Sequence, residues 1–320
     1  MACNFPLKGF WTGNRTDSGK KELFISKQEG LLISVADVEK AGYKVSSSAD
    51  LVPVNGVLFL RNPVLIPCGH CSGCRLAISR EWTTRGVLES TMHPYNYFLT
   101  LTYSDDCLPS FGLVKKDLQD FFKRFRYHLS NAGLSYFKYL ACGEYGDTSF
   151  RPHYHMILFC DDPLPLIRFG PNRHHCPLVA DSWKFGLHEI SFSSSSTVAY
   201  VCGYVNKKIG DSKDYGSLTP PFRLASRSPA IGRSWLDSHG IDSSFKVYGP
   251  FGSKRSSATV PRYFRNVLGD DYDPFKPRLL KDAQRISDLN DSVSGSSNMT
   301  SKGCFFEDIQ SSLINERKKI

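Results

Sequence analysis

Short apolar runs separated by turn residues dominate the chain, and their periods distinguish strands from helices. In YFLTLTY, residues 97–103, Tyr97, Leu99, Leu101 and Tyr103 fall on one face and Phe98, Thr100 and Thr102 on the other, which predicts a strand. The period then changes. Over residues 113–130, Val114, Leu118, Phe121, Phe122, Phe125 and Leu129 form one stripe at helical spacing, with Lys115, Lys116, Lys123, Arg124 and Arg126 mostly off it, so an amphipathic helix is predicted. A second strand is predicted over residues 134–144, and a third over 153–160, where the β-prone run MILF is closed by Asp161 and Asp162. Residues 75–92 read as a further helix, residues 161–192 as a loop rich in Pro and Gly, and the first 60 as an irregular or β-rich lead-in. A serine run suited to an N-cap and Gly210 suited to a stop bracket one more predicted helix, about 197–208.

Charge adds a class of partner. The 320 residues hold 40 Lys and Arg against 31 Asp and Glu, a net charge of +9 that favours a polyanion. No run of 18 apolar residues exists, and MACNFPLKGFW lacks the basic-then-apolar build of a signal peptide, so a soluble intracellular protein without a membrane partner is expected. Residues 223–265 interleave cations, among them Arg223, Arg227, Arg233, Lys254 and Arg255, with Trp235, Phe251, Tyr263 and Phe264. That mixture suits a surface that tracks phosphates and stacks bases. From about residue 282 the chain turns polar and Ser-rich, and a disordered tail is expected.

Ten cysteines in a chain without an export signal read as thiols, metal ligands or core residues. Cys68, Cys71 and Cys74, spaced in threes, could hold a structural Zn²⁺, but a closed site needs a fourth ligand that the sequence does not name. A tight turn with reduced cysteines ahead of a helix explains the spacing as well. The segment GNRTDSGKK, residues 13–21, is one residue too long for a phosphate loop and has Lys where Ser or Thr must reach magnesium. No other ATPase signature is present, so a built-in helicase is not expected.

The sharpest chemical signal is RPHYHMILFC, residues 151–160. In a strand, positions two apart share a face, so His153 and His155 aim at one place and Tyr154 away from it. Two imidazoles side by side can bind a divalent metal, although two hydrogen-bonded histidines on a polar strand face explain an isolated pair equally well. The preceding strand ends with Glu144 in phase with this face, nine residues before His153, which makes it the candidate third ligand, with Asp147 as the alternative. Two histidines and one carboxylate leave positions open on Mg²⁺ or Mn²⁺. On the helix near residue 200, Tyr200, Tyr204 and Lys207 lie within about 60° of one another around the axis.

A strand ending in small polar residues (FLTLTY), a His-hydrophobic-His pair and a tyrosine helix with trailing lysines (YVCGYVNKK), in that order, resemble the three motifs of HUH endonucleases, the rolling-circle replication initiators. The paired tyrosines together with PCGHCSGCR are similar, more narrowly, to the initiators of gokushovirus-type microviruses. The resemblance implies an α+β fold with a mostly antiparallel, ferredoxin-like sheet, helices on one face and the metal on the open one. It further implies a metal-dependent nickase for single-stranded phage origin DNA, with Tyr200 and Tyr204 as nucleophiles assisted by Lys207. Host helicase and DNA polymerase are the implied partners and the bacterial cytoplasm the implied location. The expected organisation is an N-terminal extension (1–94), a catalytic domain (95–210), a basic and aromatic DNA-binding extension (211–281) and a tail (282–320). A transposase or plasmid initiator of the same class, or a zinc-stabilised nucleic-acid-binding protein without catalysis, would share parts of this pattern.

Overall fold

The computed structural model describes residues 3–17, 19–27, 30–146, 149–208, 215–241, 246–251 and 256–269. Asp147, Lys254, Arg255 and the expected tail lie outside them. The chain forms two compact units, and it passes from one to the other between Arg75 and Leu76.

The first unit is β-rich. Strand β1 (Leu7–Arg15) lies between β2 (Lys21–Ser26) and β6 (Val64–Ile66), while β3 (Ile33–Ser34), β5 (Val57–Leu60) and β4 (Leu51–Val54) form a second three-stranded sheet. Helix α1 (Val35–Lys40) starts at Ser34, whose hydroxyl accepts from the Asp37 amide, an N-cap that satisfies one orphan donor. Phe10, Ile33, Val38, Ala49 and Leu60 make the core between these pieces.

The second unit is built on a seven-stranded sheet. Helix α2 (Ser72–Ser90) leads into β7 (Tyr95–Tyr103), α3 (Lys115–Asn131), β8 (Lys138–Tyr145) and β9 (Pro152–Cys160). Then come β10 (Ile167–Gly170), β11 (Arg173–His175), α4 (Pro177–Ser182), β12 (Gly186–Phe192), α5 (Ser195–Lys208) and β13 (Phe222–Ala225). The strand order is β10-β11-β12-β7-β9-β8-β13, every pairing antiparallel, with β9 and its histidines near the middle. Helix α6 (Arg233–His239), the hairpin β14 (Lys246–Gly249) and β15 (Ser256–Thr259), and α7 (Arg262–Leu268) complete the unit around Leu88, Trp235, Leu236, Val247 and Phe264. No helix among the described residues is long and apolar enough to cross a membrane.

The expected α+β fold with an antiparallel sheet is present, but two expectations fail. Helices cover both faces of the sheet. The stripe Leu118, Phe121, Phe122, Phe125 and Leu129 of α3 packs with Tyr97, Leu99, Leu101, Tyr154, Met156 and Leu158 on one face. On the other, Val87 of α2 and Val198, Val201 and Cys202 of α5 meet Leu140, Cys142, Ile157 and Phe159. The reason lies in MILF itself: Met156 and Leu158 point one way, Ile157 and Phe159 the other, and all four are buried, so both faces of β9 need cover. The second failure concerns residues 161–192, which form β10, β11, α4 and β12 rather than a loop. Strand β12 pairs along its whole length with β7, from Gly186 opposite Tyr103 to Phe192 opposite Tyr97. Elements this short carry too few periods to stand out from the Pro and Gly around them.

Candidate metal and tyrosine site

The register of the β8–β9 hairpin builds the site. Glu144 lies directly opposite His153, and Cys142 opposite His155, so the carboxylate and both rings emerge from the same face of adjacent strands. Glu144 Oε1 is 3.2 Å from His153 Nε2 and 3.0 Å from His155 Nε2, and the two rings stand 4.8 Å apart at 77°. Glu144 is 1% exposed, and its Oε2 is buried with no hydrogen-bond partner among the described residues. Burial works to raise the Glu144 carboxyl, but the two imidazoles outweigh it and hold its pKa below the ordinary value. Burial pushes the His155 imidazole down, against the pull of Glu144.

Backbone and hydroxyl groups fix the rings from behind. His153 Nδ1 is 3.0 Å from the Arg151 carbonyl, which accepts a proton, so in the neutral ring Nε2 presents its lone pair to the carboxylate. His155 Nδ1 lies 2.9 Å from Thr100 Oγ1 on β7, the strand expected to line or support the site. Arg151 is itself anchored, its guanidinium reaching Asp105 and the Tyr103 carbonyl at 2.6 Å. Two nitrogen lone pairs facing one carboxylate oxygen, each ring held at its far nitrogen, form a donor set that a cation completes. The orphaned Oε2 is a further acceptor for it. Among the described residues only one other group converges this closely, Cys3, Cys68, Cys71 and Cys74.

Helix α5 brings Tyr200 to this site. Its ring lies 5.5 Å from His155 and 6.0 Å from Phe98, edge to face in both cases, and Phe98 stacks on His155 at 5.3 Å. The side chain is 41% exposed, so it stands at the rim. Tyr204 and Lys207 belong to the same helix, but their side chains lie outside the described residues.

The basic residues of the following segment are more dispersed. Arg223, opposite Cys142 in β13, is half-buried with its guanidinium 4.1 Å over the Trp82 ring, and Arg85 covers the same ring at 4.1 Å. Arg227 lies in the turn beyond β13, and Arg233 pairs with Asp237 at 2.8 Å. Trp82, Arg85, Lys123, Arg126, Arg223 and Arg227 line one groove. His174 and His175 lie in β11, and the Cys176 amide donates to His188 Nε2, so the described residues do not gather there as a metal site.

The family model for the ORF2-type replication-associated proteins matches residues 96–209, the stretch from β7 through α5 that carries Thr100, Glu144, both histidines and Tyr200. Replication-associated protein VP4 of Bdellovibrio phage phiMH2K is 32% identical over 212 residues, 62% of this chain and 66% of that relative. Replication-associated protein ORF2 of Spiroplasma virus 4 is 34% identical over 56% of this chain and 59% of its own length, and ORF4 of Chlamydia phage 1 is 28% identical over 63% and 53%. This chain is a relative of the phage replication-associated proteins. The matches span between 53% and 66% of those proteins' own lengths. No solved structure matches the chain. Relationship to replication-associated proteins bears on the site directly, because the matched stretch is the one whose folding assembles the donor set. Thr100, Arg151 and Phe98 steady that set from positions that a single sequence marks only as strand and loop.

Proposed function

We propose that this chain is a replication initiator endonuclease, which nicks single-stranded DNA at a phage origin through a phosphotyrosine intermediate and rejoins the ends. The observation that carries this reading is an exposed tyrosine, Tyr200, whose ring lies 5.5 Å from a histidine of a buried His-His-Glu donor set. A divalent cation, Mg²⁺ or Mn²⁺, held by Glu144, His153 and His155 would polarise a non-bridging oxygen of the scissile phosphate. The Arg151 carbonyl and Thr100 hydroxyl hold the two rings in the orientation this requires. The Tyr200 oxygen bonds to phosphorus, the bond to the 3′ oxygen breaks, and the leaving oxygen takes up a proton as the 3′-hydroxyl. The resulting 5′-phosphotyrosine conserves the phosphodiester for rejoining.

Tyr204, one helical turn on, gives a second nucleophile for the cut that releases a finished unit. Lys207 lies on the same face as both by its spacing, where a cation favours the phenolate. Arg223, Arg227, Arg233, Lys254 and Arg255, with the groove around Trp82, supply phosphate contacts and stacking for the strand. The host's helicase and DNA polymerase would carry out unwinding and synthesis between the cuts, in the bacterial cytoplasm.

The test is adduct formation. Labelled single-stranded DNA carrying the phage origin, mixed with the full chain and Mn²⁺, gives a covalent product that survives denaturation. His153→Ala and His155→Ala lose this product while still shifting the DNA in a gel, because the ligands serve the chemical step and the basic surface serves affinity. Each of Tyr200→Phe and Tyr204→Phe nicks once but cannot complete cutting and rejoining. A shifted band with no adduct from the unaltered protein supports a zinc-stabilised binding protein without catalysis instead.

A further inference from the structure

The sequence offers three clustered cysteines and no fourth ligand; strand pairing supplies one. Strands β1 and β6 run antiparallel with Leu7 opposite Ile66, so the residues before β1 and those after β6 leave the sheet at the same end. Cys3 and Cys68 meet there, the Cys68 amide donating to Cys3 Sγ at 3.2 Å. Cys71 follows three residues later, and Cys74 lies in the first turn of α2. All four sulfurs lie within 4.8 Å of one another. His70, which neighbours them in sequence, is exposed and is not among the convergent groups.

The separations distinguish the possible chemistries. Cys68 and Cys74 sulfurs are 3.9 Å apart, as are those of Cys3 and Cys71, and all four residues are free cysteines. A disulfide brings its sulfurs to about 2.05 Å. A tetrahedral ion with bonds of about 2.3 Å to four sulfurs sets them roughly 3.8 Å apart. Backbone amides also aim at these atoms: Asn4 and Cys74 donate to Cys71 Sγ at 3.3 and 3.4 Å, and Cys71 donates to Cys68 Sγ at 3.4 Å. Donors directed at sulfur stabilise thiolate over thiol, which is a weak acceptor. Four thiolates this close repel one another unless a cation lies among them, and Cys71 and Cys74 are buried besides.

We propose that Cys3, Cys68, Cys71 and Cys74 form a closed four-thiolate site for a structural zinc ion, tying the first residues of the chain to the segment that enters α2. Zinc displaces the thiol protons as it binds, and the site leaves no position for water or substrate. Its all-sulfur donor set selects a softer ion than the two imidazoles and one carboxylate of the second unit, so the two sites load independently.

The full chain, purified without chelator, is expected to carry one zinc that resists dialysis. After stripping and reloading with Co²⁺ it shows an intense thiolate-to-cobalt charge-transfer band, bleached by one equivalent of Zn²⁺. Cys3→Ser lowers that band by about a quarter, one sulfur in four, and weakens zinc binding at least about tenfold. His153→Ala leaves the band unchanged, which separates this site from the one proposed for catalysis. If Cys3→Ser does not fold, the band and zinc content of the unaltered chain decide. Absence of the band from the unaltered chain, equal intensity in Cys3→Ser, or peptide mapping that finds these cysteines as disulfides overturns the proposal.

Discussion

Glu144 and His155 are buried side by side, and their environments push them in directions that suit cation binding. The imidazoles keep the carboxyl ionised despite burial, and burial keeps the His155 ring neutral, so near neutral pH the donors present lone pairs rather than protons. Thr100 then governs how well His155 is aimed, since its hydroxyl meets the ring nitrogen that faces away from Glu144. Thr100→Val keeps the shape and removes that partner. It is expected to weaken Mn²⁺ binding about tenfold, and Glu144→Gln to weaken it more. Titration calorimetry on both variants checks the order; equal losses would place the ion away from Glu144. Little of this was legible residue by residue. The phase of Glu144 with the histidines marked a shared face, whereas Thr100 and the Arg151 carbonyl declare themselves only once β7 and the hairpin loop are in place.

At the scale of elements, α5 must lie close to the sheet for Tyr200 to reach the donor set, and Gly86 of α2 makes room for it. A Cβ at Gly86 would stand 2.7 Å from Val198 Cγ1 and 3.4 Å from Leu140 Cδ2. Val198 is β-branched and buried, so it cannot turn aside. Gly86→Ala gains about 1 kcal/mol of helix propensity but overpacks this contact, and a net destabilisation of about 1–2 kcal/mol is expected. Denaturant unfolding measures it, and an unchanged midpoint would mean that α5 is free to move outward. The predicted helices at 75–92, 113–130 and 197–208 appear as α2, α3 and α5 within a few residues, because each is long enough for its pattern to repeat. Which face of the sheet each would cover was not legible, since a periodic stripe says that a helix is buried but not against what.

The second unit as a whole is pinned by a buried carboxylate. Glu89 of α2 accepts from Lys138 of β8 at 2.6 Å and from the Gly232 amide ahead of α6, and lies 3.1 Å from His93 Nε2. Burial works to raise its pKa, but these partners lower it; for His93 burial works downward, and Glu89 and Asp161 outweigh it to raise the pKa. The depressed carboxyl contributes stability above its unfolded pKa, lost as pH falls through the folded one. The raised imidazole contributes stability below its unfolded pKa, lost as pH rises through the folded one. Both contributions are therefore present together between about pH 4.3 and 6.5. Glu89→Gln is expected to cost about 3 kcal/mol by leaving Lys138 without its counter-charge, and to flatten the pH dependence. Denaturant midpoints of both proteins between acid and neutral pH check this, and parallel curves would assign the dependence to other groups.

What the sequence determined by itself is local. The strand at 153–160 sets His153 and His155 on one face whatever surrounds it, and the stripe of α3 makes a buried helix, because both follow from backbone periods of two and 3.6 residues. What the tertiary structure decided is every juxtaposition across sequence: the hairpin register that sets Glu144 opposite His153, the second helical layer over a sheet expected to be open, and β12 drawn from an apparent loop onto the edge of β7. Cys3 is the clearest case. Sixty-five residues separate it from Cys68, and only the pairing of β1 with β6 closes that distance. Periodicity constrains neighbours along the chain, whereas pairing partners are chosen by burial and hydrogen bonding summed over the whole fold, which no single segment encodes.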